Sequence, residues 1–74
     1  MRDAKARAKA KIKGIITGRM VELGLSVREL QAQTKIDRGT YYNRMNDPES
    51  FRIGEIWRLE DALHLERGTI GGVR

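Results

Sequence analysis

Apolar residues recur along this chain in short helical stripes separated by polar breaks. Ile12, Ile15, Ile16, Met20 and Leu23 fall on one face over about 12–23, the spacing of an amphipathic helix. Gly14 and Gly18 weaken that helix by about 1 kcal/mol each relative to alanine, and Gly24 supplies its C-terminal stop. A second stripe, Val27, Leu30 and Thr34, predicts a helix over 27–34. It opens on a capping box: Ser26 accepts from the backbone three residues on, and Glu29 reaches back to the N–H of Ser26. Lys35-Ile36-Asp37 then breaks the pattern, and Asp37 is a good N-cap for a third helix over 38–46. Tyr41 and Met45 share its inner face with Ile36 ahead of them.

Asn46-Asp47-Pro48 is a turn signal, and a loop follows to Arg52. A fourth helix is predicted over about 53–64, with Ile53, Ile56, Leu59 and Leu63 inward and Trp57 at the flank. Residues 66–74 contain Gly68, Gly71 and Gly72 and read as a flexible tail, or a short fifth helical turn anchored by Leu65 and Ile70. The expectation is an all-α fold, a bundle of four or five short helices over 12–65 with no internal repeat.

Charge changes the picture at the N-terminus. Arg2, Lys5, Arg7, Lys9, Lys11 and Lys13 face only Asp3 in the first fourteen residues, whereas the remaining sixty carry nine basic and nine acidic side chains. The excess of +5 therefore sits in an arm over 1–11 and its junction with the first helix. Alanine, lysine and arginine favour helix there. The thin apolar face and like-charge repulsion predict a frayed helix or a disordered arm. Such an arm suits a polyanion, because each phosphate neutralised releases counterions; a solvated tail is the bland alternative.

The 74 residues contain no cysteine and one histidine. That removes a disulfide framework and any Cys-based zinc site, and fits a reducing, cytosolic setting. His64 has no ligand or catalytic partner at useful spacing and reads as the last turn of the fourth helix. No catalytic residue, metal, cofactor or small-molecule substrate is expected. The chain has no 18-residue apolar run and no signal-peptide core, so no membrane partner is expected.

Two short helices joined by three residues can lay the first across a DNA backbone and present the second to a major groove. The stretch S-V-R-E-L-Q-A-Q-T-K-I-D-R-G-T-Y-Y-N-R-M, preceded by G-L and followed by I-G-E-I-W-R-L-E-D-A-L-H-L, resembles the helix-turn-helix of the phage repressor/Cro-like (XRE-type) transcriptional regulators. The resemblance spans about residues 15–65 and implies a lambda-repressor-like DNA-binding domain, double-stranded DNA as partner, and a homodimer at least on DNA. Leu30, Ile36 and Tyr41 then match core positions. Arg38, Gly39, Tyr42 and Asn43 fall where the family reads bases. Ser26, Val27 and Arg28, and then Asn46 and Arg52, fall at its phosphate contacts.

The chemistry agrees with these assignments. Arg38 offers a fork for guanine O6 and N7, or pairs with Asp37 or a phosphate; Asn43 suits adenine N6 and N7, or solvates the helix. Tyr42 touches a thymine methyl or a phosphate, or packs beside Tyr41, and Gly39 allows close backbone approach. Lys35, Thr40 and Arg44 join Arg28 and Arg52 as phosphate candidates, each alternatively a solvated or helix-start residue. Three departures stand out. Gln31 replaces a usual alanine between the helices. Lys35 replaces a usual glycine, which predicts a positive φ costing about 1 kcal/mol. Glu60 faces the core and needs a partner such as Arg19 or Arg44. An antitoxin-like protein-interaction module using Trp57 and the tail, and an amphipathic membrane binder through residues 1–16, are the competing classes.

Overall fold

A computed structural model describes the backbone of residues 2–73 and the side chains of residues 4–73. Among the described residues there are four α-helices, α1 (Arg2–Leu23), α2 (Val27–Thr34), α3 (Arg38–Asn46) and α4 (Ile53–Ala62), with a single 3-10 turn at Pro48–Ser50 and no strand. α2 packs against α4, and α1 lies along α3 and the 3-10 turn. One hydrophobic core joins them all. Ile12, Ile16 and Met20 from α1 meet Leu30, Ile36, Tyr41, Met45, Phe51, Ile56, Leu59, Leu63 and Ile70.

The connections follow from local chemistry. α1 stops at Gly24, whose φ of 68° lets the Leu25 N–H bond back to the Met20 carbonyl at 2.9 Å. The capping box of α2 is complete, with Glu29 N–H to Ser26 Oγ at 3.1 Å and Ser26 N–H to Glu29 Oε1 at 2.9 Å. α2 ends on Lys35 at φ 58°, ψ 28°, the left-handed conformation the sequence predicts. Thr34 closes the turn: its hydroxyl donates to the Leu30 carbonyl at 2.8 Å and accepts from the Ile36 N–H at 3.4 Å. Lys35→Gly is expected to raise stability by as much as about 1 kcal/mol. Denaturant unfolding of the two proteins checks this, and a loss would show that the lysine side chain holds the turn.

Several expectations are corrected. α1 begins at Arg2, with no break after residue 11, so the basic segment is a helical extension where fraying or disorder was expected. Lys9 donates to Asn46 Oδ1 at 3.0 Å, and Lys5 lies 3.8 Å from both Asp47 and Glu49. These contacts, with Gly72 and Val73 beside Ala4–Lys11, give the alanine-rich turns a tertiary reason to stay helical. Ile53, expected inside, is 60 % exposed, and Phe51 takes the interior place instead. α4 ends at Ala62 and not at His64, which sits beyond it at φ 55° and continues the turn.

Glu60 is fully buried, yet neither Arg19 nor Arg44 is its partner. Its Oε2 accepts from the backbone N–H groups of Gly68, Ile70 and Gly71 at 3.0, 2.9 and 3.3 Å, and Arg67 lies 3.7 Å from Oε1. Arg19 instead donates to the Leu63 carbonyl, and Arg44 to Glu55. Residues 67–73 form successive turns around the carboxylate, with Ile70 fully buried. At Gly72 a Cβ would stand 2.6 Å from the Gly68 carbonyl oxygen, so only glycine fits. No helix among the described residues is long and apolar enough to cross a membrane.

Candidate functional site

α3 is held by its inner face and its first turn. Tyr41 and Met45 are buried, 4 % and 8 % exposed, and Asp37 Oδ1 accepts from the Thr40 N–H at 3.0 Å. Hydrogen bonds from Thr40, through its side chain and then its backbone, hold the Asp37 carboxyl below the usual aspartate range. With the inner face fixed, the 3.6-residue period turns Arg38, Gly39, Tyr42 and Asn43 outward, and all four are exposed. Arg38 does not pair with Asp37. Its guanidinium carbon lies 5.8 Å from the centre of the Tyr42 ring, and that ring meets Tyr41 edge-on at 5.2 Å. Tyr42 thus steadies Arg38 by a cation–π contact. The i, i+4 spacing of this pair was the signal for it in the sequence.

Two hollows flank this helix. Between α1 and the α2–α3 pair runs a mainly apolar groove of about 590 Å³, with Lys13, Ser26, Val27, Tyr42 and Asn46 on its walls. On the other side, Val27, Arg28, Gln31, Arg38 and Tyr42 line a polar hollow of about 430 Å³. Residues expected to read bases, to contact phosphate and to form the basic arm therefore meet on one part of the surface.

Other predicted positions are arranged differently. Lys5, Lys9 and Lys13 recur every four residues on α1, and the first two contact the 46–49 segment. Arg7 and Lys11 lie beside Gly72 and Val73 instead, so the basic residues of α1 form two rows. The Arg2 side chain lies outside the described residues. Lys35 and Arg52 are exposed and Thr40 is half-buried.

Arg44, expected at a phosphate, is turned into the protein, where its Nε donates to Glu55 Oε1 at 2.9 Å. The same oxygen accepts from the Arg52 N–H at 2.9 Å and caps α4. Burial pushes the Glu55 carboxyl up. The Arg52 N–H, the Arg44 hydrogen bond and the charges of Arg44 and Arg52 outweigh that and hold it below the usual glutamate range. A depressed carboxyl stabilises the fold above its unfolded pKa, and the stabilisation is lost as pH falls through the folded value. Stability is therefore expected to decline as pH drops below about 4.3, the ordinary glutamate value. Glu55→Gln should make that decline shallower in urea titrations at pH 7, 4 and 3; an unchanged slope would mean other carboxylates carry the acid sensitivity.

No cluster of three His, Cys, Asp or Glu side chains suited to a metal occurs among the described residues. Compared with protein-family models, curated proteins and solved structures, the chain matches none significantly.

Proposed function

We propose that this chain is a sequence-specific double-stranded DNA-binding transcriptional regulator, a helix-turn-helix protein of the phage repressor/Cro-like kind acting in the bacterial cytoplasm. The observation that carries the reading is the pose of α3. Its buried Tyr41 and Met45 fix the helix, its cap is satisfied at Asp37, and Arg38, Tyr42 and Asn43 project from it unburied across a three-residue turn from α2. That is what a helix entering a major groove requires. Arg38, steadied on Tyr42, donates a bidentate pair to guanine, and Asn43 pairs with adenine. The α2 N-terminus with Ser26, Val27 and Arg28, together with Lys13 and Asn46 across the groove, follows a strand of the backbone. α1 being helical from Arg2, Lys5, Lys9 and Lys13 act as a rigid basic row beside the DNA and not as an arm threaded into a minor groove.

A two-fold dimer places two such helices about 34 Å apart on the duplex. Ile53 and Trp57, one turn apart on α4 and 60 % and 46 % exposed, form an apolar pair available for that contact. The same pair favours a second reading, an antitoxin-like module that docks a different protein. Selection from random duplexes at physiological salt separates the two: an enriched palindrome supports the regulator, and no enrichment supports the module. On an enriched site, Arg38→Ala is expected to lose about 1–3 kcal/mol of preference at a single base pair. Equal weakening on every sequence would make Arg38 a phosphate contact.

A further inference from the structure

The polar hollow beside α3 is lined by two arginines and no carboxylate. Arg28 and Arg38 stand on its wall, and among the described residues neither forms an ion pair with a carboxylate. Gln31, three residues after Arg28 on α2, lines the same hollow. Its Nε2 is buried and has no hydrogen-bond partner. A buried donor without an acceptor costs free energy that methionine or alanine at the same seam would not. A guanidinium presents five donors and no acceptor, so a hollow of this composition is complementary to an oxyanion. Gln31 lines this hollow, and a half-turn about its last side-chain torsion exchanges the amide oxygen and nitrogen, so the donor can turn toward a bound anion without moving the helix.

We infer that Arg28 and Gln31 together seat one phosphodiester group of the DNA backbone, beside the base edge that Arg38 reads. This rests on the DNA-binding reading above and adds to it a residue that reading does not use. The amide nitrogen that has no partner in the free protein gains one in the complex. Phosphate is the acceptor because the second donor is an unpaired arginine at the start of α2, where backbone N–H groups also face an approaching anion.

The test uses Gln31→Met, which keeps the volume and removes the donor. Thermal unfolding of the free variant should be unchanged or shifted upward. Its Kd should rise roughly ten- to hundredfold, the worth of one hydrogen bond to a charged group, and by the same factor on a selected and on a random duplex. In the wild type, the Gln31 side-chain amide signals should shift saturably when inorganic phosphate is titrated in. A loss confined to the selected duplex would make Gln31 a base reader, and a fall in melting temperature alongside the loss would make it a packing residue. No loss at all, or amide signals unmoved by phosphate, would also overturn the seat. Amide shifts with phosphate in a protein that binds no duplex would leave the seat standing and remove the DNA-binding reading instead.

Discussion

Tyr41→Ala is expected to cost about 3–5 kcal/mol of stability, the range for removing a large buried aromatic side chain. In a domain of this size that lowers the melting temperature by more than about 12 °C. Tyr41 is 4 % exposed and lies in the same core cluster as Ile16, Met20, Leu30 and Met45, so its ring holds α3 against the rest of the protein. Its neighbour makes the internal control. Tyr42 is 48 % exposed, and Tyr42→Ala should cost about 1 kcal/mol or less, as surface substitutions do, while freeing Arg38 from its ring contact. Thermal unfolding followed by circular dichroism reads both. If the two substitutions cost the same, Tyr41 is not the residue that anchors α3.

The second large effect is expected at Glu60. Its carboxylate is the acceptor for three backbone N–H groups and lies within 3.7 Å of Arg67. Glu60→Ala leaves those donors without an acceptor, in a place where Ile70 is fully buried. Breaking one side of such a buried charged arrangement costs about 3–5 kcal/mol. The location of the damage is as informative as its size. Amide exchange at Gly68, Ile70 and Gly71 should be slow in the wild type and fast in the variant, with α2 and α3 less affected. Continued protection of those three amides would mean the tail is held by Ile70 packing alone.

Legibility in the sequence tracked how local the cause was. The bounds of α2 and α3 were readable because their caps, Ser26 with Glu29 and Asp37, act within three residues. The outward set on α3 followed once Tyr41 and Met45 fixed its phase. The left-handed Lys35 was readable only through the resemblance, which puts glycine at that position.

What was missed depended on residues far apart in the chain. α1 stays helical to Arg2 next to the 46–49 segment and the tail, partners that hydrophobic periodicity cannot register. The partners of Glu60 are backbone groups in a glycine-rich stretch with no side-chain pattern at all. Ile53 was misplaced by extending the stripe of Ile56 and Leu59 into the first turn of α4. A signal was present there: Phe51 before the Arg52 cap, Glu55 three residues after it and Ile56 four after it form a hydrophobic-staple pattern. The seam occupied by Gln31 was visible as a departure from the expected small residue, but the lack of an acceptor for its amide is a property of the packed structure alone.

The pairing of Lys5 with Asp47 and Glu49 bears on how binding to a polyanion would respond to salt. Those two carboxylates act as resident counterions for α1. A phosphate that takes over Lys5 displaces a tethered charge, and tethered charges are not diluted into the bulk. The duplex still sheds its condensed cations at each phosphate so neutralised, while part of the attraction gained at Lys5 is offset by the attraction given up. On this protein, the salt slope would count Lys5 as a full contact although it contributes less affinity than a lysine with no internal partner.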